Sequence, residues 1–206
     1  MSIPQLIRRG RKLEYFTIVW NSLEALIALV SGLIAGSVAL VGFGLDSLVE
    51  VTSGGALLWR LHQDDESRRE RVERAALRIV GVCFVLLAIY VAYDSVSTLL
   101  ARRAPERSVP GMVLATASLI VMPLLARAKK TVAAGIGSAA MSADAKQTEF
   151  CLYLSAILLG GLVLNAAFGW WWADPMAGLL MVPFIAKEGA EALQGKTCCT
   201  GGAACH

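Results

Sequence analysis

Charge is scarce in this chain: Asp, Glu, Lys and Arg make up 17% of its 206 residues, where a soluble domain usually carries about 25%. A soluble globular enzyme is therefore a poor fit. Histidine is scarcer still, with only His62 and His206, and neither lies in an apolar stretch. A Ser/His pair for hydrolysis within the membrane is thus lacking, and the chain reads as a non-enzyme. No run of about ten residues alternates in the manner of a transmembrane barrel strand. A net charge of +3, with arginines set beside apolar stretches, does not form the interleaved basic face that nucleic acid requires. What is abundant is hydrophobicity, at 56% of residues with a mean hydropathy of +0.61. That excludes a disordered chain and points to one polytopic, all-α membrane protein.

Six apolar segments stand out, at about 15–35, 38–61, 79–101, 109–126, 145–168 and 175–193. Each is long enough to cross a hydrocarbon core of roughly 30 Å as a helix rising 1.5 Å per residue. Helices satisfy their backbone polar groups within the segment, as lipid demands. Among the basic residues only Arg102, Arg103 and Arg107 fall on one side of this bundle; Arg8, Arg9, Arg11, Lys12, the arginines from 60 to 78, Arg127, Lys129, Lys130, Lys146, Lys187 and Lys196 fall on the other. The positive-inside rule then places both termini in the cytoplasm, with Trp170, Trp171 and Trp172 anchoring the opposite interface. The first run has basic residues before it and Ala35-Gly36-Ser37 after it, as a signal peptide would, but its length and its polar residues favour retention. Gly32 and Gly36 form a GxxxG on the first span, Gly42, Gly44, Gly54 and Gly55 follow on the second, and Gly160-Gly161 lies in the fifth. Such residues let helices approach closely and suit a homodimer.

Glu24, Asp46, Glu50 and Asp94 lie inside these spans, with Asp144 and Asp174 near span ends. A charge at mid-membrane costs on the order of 3 kcal/mol, so such residues mark sites or ion paths. Asp46 and Glu50, at i and i+4, share one helix face about a turn apart, where two like charges call for a cation or a proton between them. They read either as a divalent-metal half-site or as two protonated carboxyls bonded to neighbouring helices. Gln147 and Cys151 repeat that spacing on the fifth span, with Asp144 one turn earlier. Two packed helices can then close a four-donor site of O and S type, suited to Zn²⁺ or Cd²⁺. Taken alone, Cys151 reads as a packing residue. Glu24 and Asp94 either line the path or serve as hydrogen-bonded members of the bundle.

The last nine residues hold Cys198, Cys199, Cys205 and His206, enough to wrap a soft ion if cytoplasmic conditions keep the thiols reduced. A lipidated or merely reactive tail is the alternative. The stretch 63–78 mixes acids and bases at helical spacing, as in Glu70 and Arg74, and reads as a cytoplasmic helix extension with a solvated face.

The second span's Gly36-Ser-Val-Ala-Leu-Val-Gly-Phe-Gly-Leu-Asp46-Ser-Leu-Val-Glu50 resembles the stretch in the cation diffusion facilitator family that ends in two metal ligands four residues apart. In the fifth, Asp144 within Ala143-Asp144-Ala145, followed by Gln147 and Cys151, is similar to that family's second ligand pair, and Trp172-Ala173-Asp174-Pro175 to its Asp-Pro motif before the sixth span. The resemblance covers nearly the whole chain. It implies a six-helix metal/proton antiporter with a metal site at Asp46, Glu50, Gln147 and Cys151, and with Asp144, Glu24 and Asp94 as candidates for the entrance or proton relay. The chain departs from the family in carrying Gln147 and Cys151 where His or Asp and then Asp are usual. An amide takes up no proton at physiological pH, so exchange must run through Asp46, Glu50 or Cys151. A thiolate also widens the substrate range beyond Zn²⁺ and Cd²⁺ toward Pb²⁺, Hg²⁺ or Cu⁺.

The expected organisation is a transport domain over 1–193 and a cytoplasmic Cys/His-rich tail over 194–206, a compact branch without the family's cytoplasmic C-terminal domain. Its compactness suits a bacterial inner membrane. The partners expected are a metal cation as substrate, protons, the lipid bilayer and a second copy of the chain, with no cofactor and no nucleic acid. An alternative function is a non-transporting membrane metal sensor or scaffold acting through the tail. The transporter depends on Asp46 more than on the tail; the sensor reverses that ranking.

Overall fold

The computed structural model describes residues 3–61 and 66–194, and for 60–77, 139, 140 and 143 it describes no side chains. Six helices follow one another: α1 (Ile3–Ala35), α2 (Val38–Leu61), α3 (Glu66–Leu100), α4 (Val109–Ile136), α5 (Ala139–Phe168) and α6 (Ala173–Leu193). The six expected segments are all present, and α1, α3, α4 and α5 run beyond the apolar limits read from hydropathy. α3 begins within the charged stretch, as the spacing of Glu70 and Arg74 predicts. Five helices, α1 to α5, are long and apolar enough to cross a membrane. The shorter α6 carries Asp174, Lys187, Glu188 and Glu191 within its 21 residues and is not among them.

The helices pack as three broad pairs, α1 with α2, α3 with α6 and α4 with α5, and α2 also touches α3, α5 and α6. This makes α2 the most enclosed of the candidate spans. Its Leu40 and Phe43 are fully buried against Val91 of α3, Leu158 of α5 and Met181 of α6. Large apolar side chains point outward instead, among them Val19, Leu26 and Leu33 on α1 and Leu86, Ile89 and Tyr93 on α3. Such a surface suits lipid, not water.

Turn chemistry sets the hairpins. α1 ends at Ala35 because Gly36 adopts φ +63°, a left-handed conformation that costs glycine nothing. The Ser37 amide then donates to Gly32 O at 3.0 Å, closing a Schellman-type terminus. Gly36 is therefore a turn residue, which corrects its assignment to a GxxxG on the first span: the chain must reverse there, so the glycine leaves the helix. Gly32 does serve close packing, since a Cβ there would lie 2.8 Å from Val41 Cγ2. Gly42 meets Val91 of α3 and Gly44 meets Leu29 of α1 in the same way, whereas Gly55 and Gly160 face open space. At the turn into α6, Trp170 stacks on Trp172 with centroids 5.1 Å apart, and Phe168 packs tilted against Trp170 at 5.4 Å.

Asp174 explains the Asp-Pro motif structurally. Although it belongs to the first turn of α6, its Oδ2 accepts from the Val38 amide at 2.9 Å and its Oδ1 from Ser37 Oγ at 2.5 Å. It thus caps the N-terminus of α2 from another helix, supplying an acceptor to an orphan amide at the positive end of the helix dipole. The same contact sets α2 and α6 side by side, starting at the same level and running in the same direction. We expect Asp174→Ala to lower stability by about 1–2 kcal/mol, the usual worth of an N-cap, and Asp174→Asn to lower it less. Unfolding of the solubilised protein followed by helical circular dichroism measures both.

Candidate metal centre

Asp46 and Glu50 lie on the enclosed face of α2, 6% and 1% exposed, one helical turn apart. α5 crosses beside them and presents Cys151, itself 2% exposed. The Cys151 Sγ stands 3.2 Å from Glu50 Oε2 and 3.5 Å from Asp46 Oδ2, so the single thiol proton is within reach of both carboxylates. α1 contributes Asn21, whose Nδ2 donates to Glu50 Oε2 at 2.8 Å. Three helices therefore converge on Glu50. Its other oxygen, Oε1, is buried and has no hydrogen-bond partner among the described residues.

Gln147 sits one turn from Cys151 on α5 and lines the same small pocket as Asp46 and Glu50. Its Oε1 accepts from Ser53 Oγ at 3.0 Å, while Nε2 is without a partner. A hydroxyl both donates and accepts, so the amide can turn over without losing Ser53 and so present Oε1 to the pocket. Among the described residues no three His, Cys, Asp or Glu side chains are set to hold an ion as they stand. The expected set is instead brought together through hydrogen bonds, Asp46, Glu50 and Cys151 directly and Gln147 alongside. A divalent cation would displace the thiol proton and draw these donors inward, since thiolate and carboxylate bind metal only when deprotonated.

The other acidic residues fall into three different settings. Glu24 accepts from Trp20 Nε1 at 3.2 Å, from Ser47 Oγ at 3.0 Å and from Ser118 Oγ. With both oxygens engaged, it ties α1 to α2 and α4. Asp94 is half-buried on α3, outside the pocket lining, where the hydroxyl of Tyr90 on its own helix approaches it at 3.4 Å. Asp144 is ion-paired with Lys129 of α4, which also reaches Glu14 of α1 at 3.3 Å. All three members of this triad are buried.

That triad corrects one reading of the sequence. Lys129, grouped there with the cytoplasmic flank, is 0% exposed. Because α4 continues as a helix to Ile136, position 129 falls on its buried stripe with Met122, Leu125, Ala126, Val132 and Ala133, and the ammonium must find carboxylates inside the bundle. Glu14, Asn21 and Ser47 were not singled out from sequence. A signal was available for the first two: Glu14, Thr17, Asn21, Glu24 and Ala28 recur at spacings of three and four and are all buried. This polar stripe of α1 thus faces the bundle, while large apolar residues such as Val19, Leu26 and Leu33 face out. Glu188, also missed, lies three residues beyond the buried Ile185 and seven beyond Met181, and lines the pocket with Asp46 and Glu50. Cys83 is exposed, and the tail residues Cys198, Cys199, Cys205 and His206 lie outside the described residues.

Replacing one member of a buried ion triad strands the rest, which typically costs about 3–5 kcal/mol. Lys129→Met should therefore destabilise the protein by that order, with Glu14 and Asp144 left facing each other. The combined change Glu14→Gln, Lys129→Met, Asp144→Asn should recover most of the loss. Denaturant unfolding of the three proteins in one detergent decides the matter.

The family description "Cation efflux transmembrane domain" matches residues 15–194, a stretch that includes every donor of the pocket. A curated rice protein (Oryza sativa subsp. japonica), "Metal tolerance protein 4", is 24% identical over 166 residues, which is 73% of this chain and 40% of the rice protein. The chain thus spans about two fifths of the length of that relative. With its six helices and paired carboxylates set within the matched region, the chain is an integral membrane protein and belongs to the cation efflux family, the cation diffusion facilitators that its second and fifth spans resemble.

Proposed function

We propose that this protein exports divalent heavy-metal cations, Zn²⁺ and Cd²⁺ foremost, by alternating access in exchange for protons. The observation that carries the proposal is the meeting of Cys151 with Asp46 and Glu50 between α2 and α5, deep in a bundle whose outer surface suits lipid. Asp46, Glu50 and Cys151 bind the ion and Gln147 is a weak fourth donor. The same three groups release protons when the ion binds and regain them when it leaves. A thiolate beside carboxylates favours borderline and soft ions over Mg²⁺ or Ca²⁺, which extends the range to Pb²⁺, Hg²⁺ or Cu⁺.

All six helices cross the membrane in this reading, with both termini cytoplasmic and the Trp170 to Trp172 turn at the opposite interface. α6 is tolerated as a span because Asp174 is spent on the end of α2 and Glu188 faces the pocket. Asp144 stands at the cytoplasmic approach to the site, held by Lys129. The working unit is a homodimer, and the Cys/His-rich tail collects metal without being required for translocation.

The test is uptake of Zn²⁺, Cd²⁺ or Pb²⁺ into proteoliposomes carrying a pH-sensitive lumenal dye. One of these ions should move with counter-flowing protons. A lost outer-shell partner usually costs roughly 10–100-fold in metal affinity or activity, so loss of a direct ligand in Asp46→Ala should reduce uptake about 100-fold or more, and Gln147→Ala by about tenfold or less. Deleting 197–206 should only weaken uptake. Metal binding without movement by the native protein, or indifference to Asp46→Ala, would overturn the transporter and leave the tail-centred sensor.

A further inference from the structure

The donors expected from sequence come from α2 and α5, yet the pocket has a wall from α6. Glu188 lines it together with Asp46, Glu50 and Gln147, and Phe150 and Phe184 make up part of the remaining wall. An acidic cluster alone is no binding site, but here one acceptor is left over: Glu50, 1% exposed, has an Oε1 with no hydrogen-bond partner among the described residues. A buried carboxylate oxygen without a donor is costly and is relieved by a cation.

Depth orders these groups. α2 and α6 run the same way from a common level, since Asp174 at the start of α6 bonds the Val38 amide at the start of α2. At 1.5 Å per residue, Asp46 lies about 12 Å, Glu50 about 18 Å and Glu188 about 21 Å along their helices from that level. Glu188, the farthest along, is also the most open of the three: it is half-buried, whereas Asp46 and Glu50 are buried. The neighbouring Lys187 sits over the Phe150 ring at 5.5 Å, fixing this stretch of α6 against the pocket wall.

We propose that Glu188 is the loading carboxylate of the pocket: a hydrated divalent cation first exchanges part of its water there, then passes to Asp46, Glu50 and Cys151. This rests on the metal-site reading above and adds to it the side of access and a residue on α6. A carboxylate at the mouth attracts the ion and replaces water oxygen with carboxylate oxygen, so partial dehydration begins before the thiol is reached. Cys151, bonded to Asp46 and Glu50 at the inner end, supplies the softer donor that holds the ion.

Stopped-flow mixing of Cd²⁺ with the full chain in lipid nanodiscs tests this. Cys83, Cys198, Cys199 and Cys205 are replaced by Ser in this parent chain, so that Cys151 alone yields the cadmium–thiolate absorption. Removing a steering charge lowers an association rate by about tenfold or more at low ionic strength, and Glu188→Gln should show that loss together with a flatter salt dependence. Its end-point absorption should match the parent, and Glu188→Asp should restore most of the rate. An unaltered rate and salt dependence in Glu188→Gln, beside a normal parent, would sink this inference alone. Loss of the end-point absorption in both Glu188 variants would also overturn it, since a loading group is not needed to hold the ion. No absorption in the parent would remove the metal-site reading and this inference with it.

Discussion

A carboxylate enclosed by apolar helices has no water to turn to, and the structure depends on how each one is satisfied by a neighbouring helix. Glu24 draws donors from α1, α2 and α4; Glu50 draws them from α1 and α5; Asp174 takes the end of α2; Asp144 and Glu14 share Lys129. Except for Trp20 to Glu24 within α1, each bond joins elements that hydrophobicity alone would not hold in register, because lipid is as apolar as the side chains it would replace. Packing and polarity therefore act together. Close approach at Gly32, Gly42 and Gly44 brings α1 and α3 onto α2, and that approach puts the polar stripe of α1 within reach of the α2 carboxylates.

The enclosed position of α2 decides the surroundings of its two carboxylates. A helix touched by α1, α3, α5 and α6 can hold two acidic residues one turn apart, since several neighbours contribute to their environment. Glu50 is the better served of these two, by Asn21 and Cys151, and still has one oxygen to spare. A fully bonded group such as Glu24 stabilises an assembly. A partly bonded one, in a pocket shared with Gln147 and Glu188, keeps an acceptor in reserve, and the proposed cation site rests on it.

Much of this was legible in the sequence. Apolar runs separated by charged stretches marked six helices, and the i, i+4 spacing of Asp46 with Glu50 and of Gln147 with Cys151 marked the faces that meet. Less legible were residues whose role depends on where a helix ends. Lys129 looks like a flanking charge if the span stops at 126, and becomes an interior ion once α4 is seen to reach Ile136. Gly36 looks like a packing residue until its φ of +63° shows it to be the turn. Local pattern cannot settle such cases, because helix boundaries are soft and neighbouring helices decide them.

The sequence by itself determined the solvent, the helical class and the donor types at the centre, since length, hydropathy and residue chemistry are properties of the chain read along its own axis. Only the tertiary structure decided which carboxylates are spent on structure and which face the pocket. Asp174, Glu24 and Asp144 carry the same carboxyl group as Asp46 and Glu50. Apart from Trp20, one turn from Glu24 on α1, their partners named above come from residues 15 to 137 positions away, and a hydrogen bond across such a separation exists only once the helices have packed.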